Sequence, residues 1–197
     1  MGGALTLAGL IVVVVSGLIV RNGRVGSAER SVFNAINGLP DWLYRPLWIF
    51  QQFGNLVVAL LVVLVVAALL RRADLAAAGF VAVVAKLLLE RVIKSVVERS
   101  RPGTTVTDAI LRGEVSPGGL SFVSGHVTIT VAVATALTAV VARRWWPAVW
   151  LVVVLNAFTR IYVGAHNPLD VVGGMGLGLV IGGPLYAWLA NSDPASR

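Results

Sequence analysis

The chain has 197 residues, 57% hydrophobic and only 13% charged, and several apolar runs approach the length that crosses a bilayer, which excludes an ordinary soluble domain. Its formal charge of +7 does not indicate a nucleic-acid partner, because the basic residues are scattered among those runs rather than gathered on one soluble face. Cysteine is absent, so disulfide and thiol chemistry are excluded, and two histidines are too few for a multi-histidine metal site.

The first apolar run covers Ala4 to Val20. No basic residue precedes it and no small-residue cleavage site follows, so it reads as a retained span rather than a signal peptide. Arg21 to Pro46 is polar and broken by glycine and proline. Within it, Val32, Phe33, Ile36, Leu39, Trp42, Leu43 and Tyr44 predict a short helix lying in the interface, its aromatics at headgroup level.

A second span is predicted from Phe53 to Leu70, ending at Arg71-Arg72. A third runs from Asp74 past Val97 to Pro102, and a fourth from Ser124 to Arg143-Arg144. The fifth covers Trp146 to Val163 and the sixth Pro168 to Leu189, followed by a polar tail from Asn191 to Arg197. Glycines 173, 174, 176, 178, 182 and 183 in the sixth span predict close helix packing. No internal repeat or linker divides the chain, so the expected architecture is one all-α, polytopic membrane domain over residues 1–197: a six-span helical bundle with an interfacial helix after the first span.

Six spans put both termini on one side and gather Lys94, Arg101, Ser124, His126, Arg160 and His166 at the other. Arg71-Arg72 and Arg143-Arg144 fall on the terminal side, which favours cytoplasmic termini and an extracytoplasmic site in the plasma membrane. Arg21, Arg24, Arg30 and Arg45 in the first loop count against that assignment.

Three segments then carry chemistry. In residues 94–102, Lys94 and Arg101 are seven apart and share a face if the helix persists, which suits a multiply charged anion; a stop-transfer cluster is the plainer alternative. In residues 122–126, Ser124, Gly125 and His126 open a helix, where free N–H groups and the dipole attract anions; an ordinary cap with a surface histidine is the alternative. In residues 159–170, Asn167 and Pro168 look like a cap and first helical position, with His166 just outside and Asp170 in the first turn. Asp170 could then accept from one imidazole nitrogen and leave the other free to attack; an interfacial loop with a capping carboxylate is the alternative. Lys86, Glu90, Lys94 and Glu98 recur every four residues, which predicts a charged stripe with a Lys86–Glu90 pair inside the bundle that positions Lys94.

Lys-x6-Arg-Pro, Ser-Gly-His and Arg-x5-His-x3-Asp, in this order, resemble the type 2 phosphatidic acid phosphatase family in its integral-membrane, lipid-phosphatase branch. The resemblance implies phosphate binding by Lys94, Arg101, Ser124, Gly125 and Arg160. It implies that His126 is the general acid, His166 the nucleophile that becomes phosphorylated, and Asp170 the residue that orients it. Val123 stands where the family usually has proline, and Thr159 where it usually has serine. The implied activity is metal-independent hydrolysis of a lipid phosphate monoester or diphosphate: a polyprenyl (di)phosphate such as undecaprenyl diphosphate, phosphatidate or phosphatidylglycerophosphate. The partners are then the lipid substrate and membrane lipids, with no cofactor. A lipid phosphotransferase would use the same intermediate, and a transporter or binding subunit is the alternative from another class. Soluble vanadate-binding haloperoxidases share the pattern, but the apolar runs argue against one.

Overall fold

The computed structural model describes residues 1–192, so the last part of the expected polar tail lies outside the described residues. Among those residues the fold is all-helical: α1 (Gly2–Val20), α2 (Ser27–Asn37), α3 (Tyr44–Gln52), α4 (Leu56–Leu70), α5 (Ala73–Val96), α6 (Pro102–Thr105), α7 (Gly125–Thr138), α8 (Trp146–Tyr162) and α9 (Pro168–Asn191). Among the described residues, strand pairing is confined to a single bridge between Ser100 and Leu120.

Helix α7 is the hub. Every residue from Val127 to Thr138 is buried, enclosed by α4, α5, α8 and α9. Helix α9 lies between α7 and α1 and meets them with different glycines. A Cβ at position 174, 178 or 182 would strike α7, and one at 176 or 183 would strike the α1 backbone. Gly2 and Gly9 of α1 face Gly183 and Gly176 in turn, so the two helices run antiparallel in a small-residue seam. The chain start and the end of α9 therefore share one side of the molecule.

The outer surface is apolar in long stripes. Val57, Leu61, Val65 and Leu69 on α4, and Phe80, Val84, Leu88, Val92 and Val96 on α5, are all exposed at four-residue spacing. Surfaces of this extent are unfavourable in water and natural in lipid. By length and composition, α1 and α9 qualify as membrane spans. The pair Asp41–Gln52 and Leu56–Leu70, bent by 58°, makes a third if taken as one span.

Several boundaries differ from expectation. The region after α1 forms two helices, α2 and α3, joined by a 3-10 turn at Asp41–Leu43, rather than one interfacial helix. Glycine and proline at positions 38 and 40 break the first, and Gly38 caps it. Helix α5 ends at Val96, with Val97 out of helical geometry at φ −112° and ψ 85°. Arg99 turns inward and Pro102 opens α6, so Lys94 and Arg101 do not share a helix face and the charged stripe stops before exposed Glu98. Helix α7 is shorter than expected, 14 residues or about 21 Å. That length serves because it is enclosed by other helices instead of facing lipid.

Candidate active site

At the end away from the chain start, the last turn of α5, the first turns of α7 and α9, and the end of α8 converge. Glu90 holds Lys86 and Lys94 at once, at 2.6 Å each. The expected Lys86–Glu90 pair is present, and the same carboxylate grips Lys94. It also packs on the α7 start: a side chain at Gly125 would overlap the Glu90 carboxylate. Lys94 is thereby fixed beside α7 but does not line the cavity described below. Glu90→Gln leaves two lysines without their partner in a largely buried position. It should destabilise the protein by roughly 2 kcal/mol, with Lys86→Met/Glu90→Gln recovering part of the loss, since an unpaired buried charge costs more than no pair. Thermal unfolding in detergent checks this, and equal melting of the two variants would show that the pairing does not matter.

A cavity of about 420 Å³ opens between α3, α4, α7 and α8. Arg101, His126 and Arg160 lie on its wall with the amides of Gln51, Gln52 and Asn55, while Tyr44, Trp48 and Glu114 stand around them. Arg160 Nη1 donates to Gln51 Oε1 at 2.7 Å. Ser124 Oγ, Arg101 Nε and Arg160 Nε are buried and have no hydrogen-bond partner among the described residues. Buried polar atoms are normally paired, so the two unpaired guanidinium donors of Arg101 and Arg160 on one cavity wall mark a candidate anion site.

The two helix starts are stitched together, because the Ser124 N–H donates to the Asp170 carbonyl at 2.9 Å. Asn167 and Asp170 form a capping box at the head of α9, and Pro168 takes its first position as expected. The N–H groups of Ala165 and His166 both donate to the Arg160 carbonyl, at 3.1 and 3.2 Å, which presents His166 directly after α8. His166 is buried, with Nδ1 3.8 Å from Asp170 Oδ2. That is an electrostatic contact rather than a hydrogen bond, a spacing that catalytic pairs commonly show before substrate tightens them. Burial, reinforced by the positive charges of Arg160 and Arg101 and opposed by Asp170, pushes the His166 imidazole down to about 4. It is therefore neutral at neutral pH.

Other polar residues serve the scaffold. The Thr159 hydroxyl donates to the Leu155 carbonyl at 2.6 Å, within α8. Asn156 donates to the Phe50 carbonyl at 2.9 Å and fixes α3 over the site. Arg112 stacks on Tyr162 at 4.2 Å and donates to the Asn37, Leu39 and Tyr162 carbonyls, pinning the loop that carries Glu114.

Two residues escaped the sequence reading. Arg99 is completely buried and pairs with both Asp170 and Glu29. The usable signal was periodic: Glu29 stands four and eight residues before Phe33 and Asn37, the buried stripe of α2.

The model of the PAP2 superfamily matches residues 74–194, more than half of the chain. This chain belongs to the PAP2 superfamily. Among relatives of this PAP2 chain are a lipid A 4'-phosphatase of Porphyromonas gingivalis, 31% identical over 40% of this chain and 37% of that protein, and an undecaprenyl-diphosphatase of Sulfolobus acidocaldarius, 35% identical over 47% and 44%. The chain spans less than half the length of these curated relatives. Its fold is that of a transmembrane PAP2-type phosphatidylglycerolphosphate phosphatase from Bacillus subtilis (TM-score 0.75, 20% identity, 96% of this chain and 98% of that one). It also matches Aquifex aeolicus LpxE (TM-score 0.73, 22% identity, 83% and 96%). With α1 and α9 long and apolar enough to cross a bilayer, the PAP2 chain is a membrane protein.

Proposed function

We propose that this chain is a six-span membrane phosphatase that hydrolyses a lipid phosphate through a phosphohistidine at His166. The observation that carries the reading is the pair of unpaired buried donors, Arg101 Nε and Arg160 Nε, on the cavity wall that also carries His126. Phosphoryl transfer needs positive charge around the equatorial oxygens, an in-line nucleophile and an acid for the leaving oxygen. Arg101, Arg160, Ser124 and the N–H groups opening α7 supply the first, with Lys94 adding charge from behind Glu90. His166 supplies the second, and its Nδ1 side faces Asp170, which leaves Nε2 for phosphorus. His126, on the cavity wall, supplies the third.

The leaving group is a lipid. A second cavity of about 240 Å³, almost wholly apolar, lies between α4, α7 and α8 and starts at Phe53. The Phe53 carbonyl accepts from Thr130, one turn past His126, so hydrocarbon-lined space adjoins the polar cavity. The polar cavity has room for a headgroup beyond one phosphoryl group, so monoesters and diphosphates of the kinds named for its relatives are the substrates to try. The apolar stripes and the shared side of the chain start and the α9 end support the even span count. The arginine pairs at 71–72 and 143–144 support cytoplasmic termini and an outward-facing site in the plasma membrane.

Among the described residues no group of histidine, cysteine or carboxylate side chains could hold a metal. Phosphate release from a panel of lipid monophosphates and diphosphates should therefore survive chelator and be inhibited by vanadate, a mimic of five-coordinate phosphorus. Turnover lost in chelator and restored by magnesium would overturn this reading.

A further inference from the structure

Arg99 is the largest fully buried side chain described, and nothing in the proposed chemistry so far uses it. A buried guanidinium is tolerated only when its charge and donors are matched. Here the two terminal nitrogens are matched from two distant segments, while Nε has no partner among the described residues. Nη1 donates to Asp170 Oδ1 at 2.8 Å and to Glu29 Oε1 at 3.0 Å. Nη2 donates to Glu29 Oε2 at 2.6 Å and to the Arg24 carbonyl at 3.4 Å. Glu29 Oε1 also accepts from the Leu169 N–H at 2.9 Å, so α2 is tied to the first turn of α9.

Asp170 is thus held from both sides. Oδ1 points to Arg99, and Oδ2 accepts from the Asn167 N–H at 2.8 Å while facing His166. Counting charges, Asp170 and Glu29 carry two negatives against one positive on Arg99. One net negative charge remains behind the histidine. The other groups that act on His166 are cationic, Arg160 from α8 and Arg101 from the segment before α6, with His126 approaching from α7.

We propose that Arg99 and Glu29 are positioning residues for phosphoryl transfer: Arg99 clamps Asp170 so that Oδ2 faces the imidazole, and Glu29 balances Arg99 so that Asp170 keeps its charge for the histidine. This rests on His166 being the nucleophile. When His166 attacks, an N–P bond forms as the P–O bond to the leaving group breaks, and the imidazole becomes a cation. The net negative charge of the triad stabilises that cation. Without Glu29, Arg99 neutralises Asp170 and the stabilisation weakens. Without Arg99, two carboxylates remain in one buried site, and one takes up a proton. That removes the same stabilisation more completely. Removing both outer groups leaves Asp170 charged and alone, which restores part of it.

The test uses the full chain in detergent with a short-chain lipid phosphate, measuring kcat, KM and the rate of protein labelling. Thermal unfolding and vanadate binding establish that each variant is folded. Glu29→Gln keeps the shape and should lower kcat and the labelling rate about tenfold with KM within about twofold. Arg99→Met should lower kcat about a hundredfold or more, and Arg99→Met/Glu29→Gln should turn over about tenfold faster than Arg99→Met alone. A purely structural role would show the same recovery in thermal unfolding but would leave kcat of the folded variants at the wild-type value. Wild-type kcat in Glu29→Gln, or multiplying losses in the double variant, would overturn the proposal. If Arg99→Met does not fold, the Glu29→Gln result decides alone. Full turnover in His166→Ala would remove the nucleophile reading and this one together, whereas a dead His166→Ala beside an unaffected Glu29→Gln would remove this one only.

Discussion

His166→Ala is expected to lose turnover and covalent labelling together. A labelled lipid phosphate mixed with wild-type protein and quenched early should leave phosphate on the chain in a form that is acid-labile and stable to alkali. Removing the nucleophile should cut kcat by at least about a thousandfold, in line with losses when a nucleophilic residue is deleted elsewhere. The pH dependence follows from burial. His166 is held down to about 4, so the reactive neutral form persists well below the usual histidine range. The acid limb of kcat/KM that belongs to His166 should lie near 4 rather than near 6.5, because protonation, which blocks attack, occurs only as pH falls through that value. A label that survives in His166→Ala would reject the assignment outright.

His126→Ala should separate the two halves of the reaction. Its imidazole lies on the cavity wall with Arg101 and Arg160, and a phosphate dianion entering there brings the negative charge that favours a protonated ring. With an alkoxide-like lipid leaving group, which needs that proton, kcat should fall about a hundredfold to ten-thousandfold. With an activated aryl phosphate, which leaves without help, labelling of His166 should persist while release of phosphate from the labelled protein slows. That asymmetry distinguishes an acid from a phosphate ligand, whose loss would slow both substrates alike. Equal losses on both would move His126 into the binding set.

The opening of α9 was legible because asparagine, proline and aspartate at 167, 168 and 170 are local cap chemistry, and the capping box is there. The Lys86–Glu90 pair was legible because four-residue spacing on one helix brings side chains together whatever surrounds them. The end of α5 was misread. Apolar and charged residues run on past Val96, and the pairing of Ser100 with Leu120 and the inward pull on Arg99 accompany the end of the helix before Pro102 opens the next. Those contacts are tertiary. Arg99 and Glu29 are 70 residues apart, and no local pattern joins them. Span counting foresaw the gathering of the motifs at one end but not the grip of Glu90 on Lys94, which draws that lysine away from the cavity wall.

The seam between α1 and α9 also sets an order of events in the cell. Helix α1 rests chiefly on α9, whose first residue is made about 150 residues later. At the usual ~5–20 residues per second of synthesis, α1 waits for roughly 8–30 s before its partner exists. It can wait because its exposed flank is already suited to lipid. The head of α9 also carries Asp170 and adjoins His166, so the helix that ends the wait is the one that completes the catalytic end. If the proposed function holds, a partly made chain is inert, and cleavage of phosphate begins only once the bundle has closed.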